Sequence, residues 1–194
     1  MSDPRVVLIG GQDPRGQAGL LADADAVRRA GATAQAVVTC ITAQSDNHCH
    51  LAPVAPGVVA AQMVEVATAP VKKVGMVPSN ALAEVLLGHS GEWVIDPVLS
   101  TSSGVRCAPN DARSGAYGAL WRMADLLTPN LPEAAELTGL PRSADPLDLA
   151  SALRAEGCLR VLIKGGHSDG ETVCDYFVGR EGSVTVLRRP RLAG

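Results

Sequence analysis

Two side chains in the segment LLTPNLPEAAELTGL, residues 126–140, are of types that could serve a phosphate or a metal ion. Asn130 and Glu133 stand between an apolar pair and a helical run. Asn130 and the carboxylate three positions later match a helix capping box, and Pro132 suits the first helical turn. An Asn and a carboxylate at a strand-to-helix junction can also serve a metal-bound phosphate. The segment by itself leaves both interpretations open.

Other chemically useful residues stand where predicted strands end. Asp96 closes the apolar run EWVIDP and could hold a cation, although an Asp before Pro97 also starts turns. The loop GGQDPRGQAGLLAD, residues 10–23, opens a helix with glycines that would let the backbone approach a ligand. It matches neither GxGxxG nor GxxxxGK[ST], so it supports neither a dinucleotide fingerprint nor a P-loop. Asp23 lies in the first turns of that helix, where it could bind a ligand or complement the helix dipole.

Strand-like and helix-like segments alternate along the chain. The predicted strands cover residues 5–10, 33–42, 71–76, 92–97, 125–130 and 159–166, and the helices between them follow a 3.6-residue apolar spacing. Two alternating runs around GREG predict a terminal antiparallel hairpin. This order predicts right-handed crossovers and a mostly parallel sheet covered on both sides. Ligands bind such sheets at the carboxyl ends of the strands, so the loops after the six strands predict one site at one edge.

Composition excludes several classes of protein. A length of 194 residues with 46% hydrophobic residues suits one domain with a sizeable core. The net charge of -3 gives no electrostatic footprint for nucleic acid or an anionic membrane. No apolar run approaches the ~20 residues of a membrane span, and the start lacks the features of a signal peptide. Five cysteines without a CxxC pair indicate reduced thiols, so we expect a cytoplasmic protein.

Six segments taken in order resemble one known family. They are GGQDPRGQAGLLADADAVRRAGA, TCITAQ, VKKVGM, VIDPVLSTSSG, LLTPNLPEAAELTG and VLIKGGH. Together they resemble the hydroxymethylpyrimidine and phosphomethylpyrimidine kinases of thiamine biosynthesis, from about Val6 to about Pro190. The resemblance implies the α/β fold of the ribokinase-like superfamily, a three-layer αβα sandwich with a mostly parallel central sheet.

The resemblance also implies an activity and a set of site residues. The activity would be ATP-dependent phosphorylation of 4-amino-5-hydroxymethyl-2-methylpyrimidine and then of its monophosphate, with ATP and Mg²⁺ as cofactors and a homodimer as the assembly. The implied pyrimidine-binding residues are Gly11, Ala18, Asp23, Gln44 and Met76; those near the metal ion are Asp96 and Glu133; those on the nucleotide side are Asn130 and Lys164. For the segment 126–140 this favours phosphate chemistry without cancelling the capping role.

The chain departs from the family pattern in two places. The family loop usually reads DPSGGAG, whereas DPRGQAG here carries Arg15 and Gln17 in place of small residues. The family also continues past RRPRLAG with a threonine-rich strand and a GTGC-like loop, whose N–H groups form an anion hole and whose Cys deprotonates the hydroxyl. No GxG[CD] sequence occurs in the 194 residues, so no catalytic residue is identified.

We therefore expect one domain, residues 1–194, truncated at its C-terminus and lacking that loop and the last helices. Losing preorganised donors costs roughly 10²–10³ in rate and losing a general base about 10²–10⁴. Such a chain would turn over little even where it binds substrate. A catalytically weak pyrimidine-binding or subunit protein of the same fold is thus an alternative. A pyridoxal or sugar kinase relative is another, which the pairing of TAQ with VGM disfavours.

Overall fold

A computed structural model describes residues 4–44, 49–101, 103–167 and 171–191. Its strands are β1 (Arg5–Gln12), β2 (Thr33–Gln44), β3 (Cys49–Pro53), β4 (Val71–Val74), β5 (Glu92–Ile95), β6 (Leu126–Leu127), β7 (Val161–Ile163), β8 (Thr172–Val178) and β9 (Val184–Pro190). Its α-helices are α1 (Gly19–Arg29), α2 (Pro56–Val66), α3 (Asn80–Leu87), α4 (Gly115–Arg122), α5 (Leu131–Thr138) and α6 (Pro146–Ala155).

The described strands form one mixed sheet in the order β3-β2-β1-β4-β5-β6-β7-β8-β9. The six strands from β2 to β7 in this order pair in parallel, and β3, β8 and β9 join the two sides antiparallel. The mostly parallel sheet and the terminal hairpin predicted from the sequence are both confirmed. The hairpin turns at GREG, where the N–H of Gly179 donates to the carbonyl of Ser183.

Helices cover both faces of the sheet. Helices α2 to α6 bury their apolar faces in one core cluster with alternate strand residues such as Val7 and Ile9. Leu8, which points the other way, and Leu20 of α1 are also buried but lie outside that cluster. Helix α1 packs against β1 and β2 on this second face. The three layers predicted from the sequence are therefore present.

Two adjacent lysines of β4 show how the two faces differ. Lys72 is only 1% exposed, and its ammonium group donates to the carbonyls of Ala69 at 3.1 Å and Ser90 at 2.6 Å. It also lies 5.6 Å from the centre of the Trp93 ring, and burial lowers the pKa of Lys72. Lys73 points to the opposite face, towards α1. Lys72 therefore belongs to the core, and Lys73 lies on the face of the sheet that α1 covers.

The sequence did not predict β3, and it overestimated the lengths of four strands, β4 to β7. The segment CHLAP is short and contains His and Pro, which gives little strand signal, yet it pairs with the end of β2. Strand β4 ends at Val74, so that Gly75 and Met76 lie in the following loop. Strand β7 ends at Ile163, because residues Gly165–His167 form a 3₁₀ turn.

The longest described helices have 11 residues, and across the described ranges none is long and apolar enough to cross a bilayer.

Candidate active site

A pocket of about 370 Å³ opens at the carboxyl ends of β1, β2, β4 and β5. This is the edge at which the sequence predicted a site. The structure brings five of the predicted site residues to the walls of this pocket: Gly11, Ala18, Asp23, Met76 and Asp96. Gln44 is the last residue of β2, at the same edge, but its side chain lies outside the described part of the structure.

The loop between β1 and α1 is held by a buried carboxylate that sequence reasoning missed. Asp13, 8% exposed, accepts hydrogen bonds from the backbone N–H groups of Arg15 at 3.4 Å and Gln17 at 3.2 Å. Arg15 and Gln17, which replace small residues of the family pattern, are both exposed, and neither lines the pocket. The loop therefore uses their backbones, and their larger side chains lie outside the pocket walls.

Gly19 allows the start of α1 to close onto the end of β1. Its φ is +60°, and a methyl group there would overlap the carbonyl oxygen of Gly11. We expect Gly19→Ala to reduce the free energy of unfolding by at least about 2 kcal/mol, from the strained φ and the overlap together. Gly57→Ala is the control, because a methyl group added at this position in α2 would meet no atom within 4 Å. This variant should gain up to about 1 kcal/mol in the free energy of unfolding. Urea unfolding of both variants measures the difference, and equal midpoints would contradict the close approach.

Asp23 forms an ion pair inside the pocket with Lys73, which the sequence analysis did not select. The Nζ atom of Lys73 lies 2.5 Å from Oδ2 of Asp23, and both residues line the pocket. No residue among those described donates a hydrogen bond to the other oxygen, Oδ1. That oxygen is available to a ligand.

Met76, which lines the pocket, is held by contacts with two fully buried side chains, Thr39 and Cys40. The hydroxyl of Thr39 donates to the carbonyl of Met76 at 2.6 Å, which fixes the loop after β4. The Sδ atom of Met76 lies 3.1 Å from Sγ of Cys40. A methyl group at Gly11 would lie 3.4 Å from each of these sulfur atoms, so the glycine leaves room for them beside the pocket.

A second pocket, of about 160 Å³, adjoins the first. Asn130, Glu133 and Arg142 line it, and it shares the walls formed by Ser100 and Thr101 with the larger pocket. The shared pair belongs to the loop after Asp96. The two pockets therefore meet beside the carboxyl end of β5.

The capping box predicted for α5 is confirmed. The backbone N–H of Asn130 donates to Oε2 of Glu133 at 2.8 Å, and the N–H of Glu133 donates to Oδ1 of Asn130 at 2.9 Å. Glu133 is only 8% exposed, and this burial raises its pKa, with the positive charge of Lys164 acting in the opposite direction. Glu133 therefore caps α5 and also lines the second pocket.

Lys164 and Asp96 are also brought together. The Nζ atom of Lys164 lies 2.7 Å from Oδ1 of Asp96, and the backbone N–H of Lys164 donates to the carbonyl of Pro129. A backbone bridge joins Lys164 to Asn130. All four residues predicted for the metal and nucleotide side therefore gather at the ends of β5, β6 and β7.

Five pocket residues with polar side chains escaped sequence reasoning: Asp13, Thr42, Lys73, Ser100 and Thr101. The strand period places Lys73 and its neighbour Lys72 on opposite faces, but it does not show which of the two lysines faces the site. Nothing in the sequence marks which carboxylate Lys73 meets 50 positions away.

A glycine-lined pocket at the carboxyl edge of a sheet with helices on both faces is the arrangement of the ribokinase-like kinases. A family model described as phosphomethylpyrimidine kinase matches residues 13–194, and the chain belongs to this family. The resemblance stated from the sequence is confirmed, and with it the expectation of a phosphotransferase.

Individual relatives agree with this assignment. The hydroxymethylpyrimidine/phosphomethylpyrimidine kinase of Staphylococcus aureus strain MSSA476 is 33% identical, in a match that covers 95% of this chain and 72% of that protein. The crystal structure of phosphomethylpyrimidine kinase from Clostridium difficile 630 has a TM-score of 0.78 at 27% identity, covering 94% of this chain and 83% of that one. Pyridoxal kinase from Staphylococcus aureus in complex with AMP-PCP has a TM-score of 0.86 at 22% identity and shares the fold, covering 100% of this chain and 74% of that one.

Proposed function

We propose that this chain transfers the γ-phosphate of ATP to the hydroxymethyl group of 4-amino-5-hydroxymethyl-2-methylpyrimidine, and then phosphorylates the resulting monophosphate, as a step of thiamine biosynthesis. The observation that carries the proposal is the pocket in which Asp23 faces a small cavity with one carboxylate oxygen open to a ligand. The family to which the chain belongs and the name of its Staphylococcus aureus relative support the same substrate.

The larger pocket suits a small aminopyrimidine. Its volume of about 370 Å³ falls within the range of small-ligand sites. We assign the substrate amino group to the open oxygen of Asp23, because a carboxylate accepts hydrogen bonds and an amino group donates them. The ring would lie against Met76 and the backbone of Gly11 and Ala18, and Gln44 would complete its polar edge.

The smaller pocket and the wall between the two suit the phosphates. Asn130 and Lys164 would bind the nucleotide side, because an amide donates hydrogen bonds to phosphate oxygens and a lysine offsets their charge. Together with the capping box, this gives the segment 126–140 both of the roles left open from its sequence. ATP as the phosphate donor is part of the proposal, supported by the family and by the AMP-PCP complex of a kinase of the same fold.

Two carboxylates fit a magnesium ion between the pockets. Across the described ranges, no group of three or more His, Cys, Asp or Glu residues could hold a metal ion by itself. Mg²⁺ in kinases needs fewer, since one or two carboxylates and the substrate phosphates bind it. Asp96 and Glu133 supply that number, and a cation would offset the burial that raises the pKa of Glu133. When bound, Mg²⁺ would neutralise charge on the transferred phosphoryl group.

We propose a single kinase domain in the cytoplasm, supported by the one sheet of the described strands and by cysteines without a CxxC pair. We also propose a homodimer, which the family resemblance supports.

Measurement of ADP release tests the proposed reaction. Pure protein is mixed with MgATP and the aminopyrimidine, and binding of the pyrimidine is followed in parallel by calorimetry. We expect binding together with slow ADP release, and a higher kcat/KM for the aminopyrimidine than for pyridoxal. Binding without ADP release would favour the pyrimidine-binding alternative, and a preference for pyridoxal would favour the pyridoxal kinase alternative. Absence of both binding and release would contradict the proposal.

A further inference from the structure

We propose that Lys73 is a positioning residue, whose ammonium group holds the carboxylate of Asp23 in the orientation that receives the amino group of the pyrimidine. This inference rests on the proposed function and adds a residue to its site. The resemblance to the family gave Lys73 no role.

The ion pair stands inside the pocket and not on the open surface. The side chains of Lys73 and Asp23 are 24% and 29% exposed, whereas those of Arg29 and Asp25, a pair on the same helix α1, are 80% and 50% exposed. Water and salt screen a partly enclosed pair less than an exposed one. Of these two pairs, Lys73–Asp23 is therefore the one better able to fix a side chain.

The two carboxylate oxygens of Asp23 differ in their contacts. Within the described residues, Asp23 is the only hydrogen-bond partner of the ammonium group of Lys73. The lysine passes close to the backbone of Gly75, where a methyl group would lie 3.4 Å from Nζ. The ammonium group thus donates to Oδ2 of Asp23 and leaves Oδ1 available to a ligand.

The pair affects both orientation and charge. The terminal torsion of an Asp side chain is broad, so a carboxylate without a partner samples many orientations. The ammonium group removes that freedom before the ligand arrives, which lowers the cost of binding. It also balances the negative charge of Asp23, so that the pocket favours a neutral heterocycle.

Replacement of Lys73 tests this role. We expect Lys73→Met to raise the calorimetric Kd for 4-amino-5-hydroxymethyl-2-methylpyrimidine at least tenfold, with the Kd for MgATP unchanged within twofold. A residue that merely supports the fold would weaken both ligands. Lys73→Arg keeps the charge and should stay within about threefold of the wild type. The control Arg29→Gln removes a positive charge from α1 and should change neither affinity. Lys73→Gln carries the same expectation if the methionine variant does not fold.

A double substitution tests whether Lys73 acts through Asp23. In an Asp23→Asn background, Lys73→Met should weaken pyrimidine binding by less than twofold, because the charge that it positions is already gone. A full tenfold effect in that background would overturn the positioning role. If the wild type binds the pyrimidine and Lys73→Met binds it with the same Kd, the positioning role is overturned and the proposed function is left intact. Absence of pyrimidine binding to the wild type would overturn the proposed function and this role together.

Discussion

Replacement of Asp23 with alanine is expected to abolish binding of the aminopyrimidine. The substitution removes a charged hydrogen-bond acceptor, worth about 1.5–3 kcal/mol, or roughly 10- to 100-fold in affinity. It also leaves the ammonium group of Lys73 in the pocket without its 2.5 Å partner. The two effects act in the same direction, so the combined loss should carry the affinity out of the calorimetric range.

Asp25→Ala provides the matched control on the same helix. Asp25 forms an exposed pair with Arg29 at 2.8 Å and does not line the pocket. Exposed pairs contribute little, so this variant should bind the pyrimidine as the wild type does. Unchanged affinity in Asp23→Ala would remove Asp23 from the proposed site, whatever the behaviour of the control.

Glu133→Gln is expected to separate the two roles of the capping box at α5. Glutamine keeps an oxygen that can accept from the N–H of Asn130, so the cap is retained. It cannot supply the negative charge that a magnesium ion requires. We expect kcat to fall about 10²–10³-fold, as for the loss of other preorganised electrostatic groups. The increase in ATP affinity that Mg²⁺ produces should also be lost, which provides a readout independent of turnover.

The stability of Glu133→Gln should change in the opposite direction from its activity. Burial raises the pKa of Glu133 above its unfolded value, so between the two values the folded chain holds more protons than the unfolded chain. The wild type therefore loses stability as the pH rises through that window. Glutamine does not titrate, so the variant should be at least as stable as the wild type at neutral pH. This advantage should disappear at a pH below the unfolded pKa.

Thermal unfolding at several pH values, alongside the kinetic assay, checks both parts. Glu84→Gln is a suitable control, because Glu84 is an exposed carboxylate of α3 outside both pockets. It should leave kcat and the pH dependence as they are. Full activity in Glu133→Gln would show that the carboxylate serves only the cap.

The sequence predicts the fold well where apolar runs alternate with helical spacing. Runs such as RVVLIG and EWVI are short, apolar and followed by glycine or Asp-Pro, which gives both a buried strand and its end. Parallel order then brings all such ends to one edge, so Gly11 and Asp96 could be assigned to a common pocket from the chain order alone.

The remaining features depend on contacts between distant residues. Lys73 meets Asp23 from 50 positions away, and Lys164 meets Asp96 from 68 positions away. A local pattern predicts that neighbouring strand residues lie on opposite faces, and it does not predict which distant residue a charged side chain will contact. Strand β3 escaped for a related reason, because its five residues owe their conformation to pairing with β2 and not to their own propensity.

A crystal structure of the chain grown with 4-amino-5-hydroxymethyl-2-methylpyrimidine would test the central claim most directly. The proposed function predicts the ring between the loop after β1 and Met76, with its amino group within hydrogen-bond distance of the oxygen of Asp23 that Lys73 leaves open. A pyrimidine bound elsewhere, or an empty pocket at a saturating concentration, would contradict it.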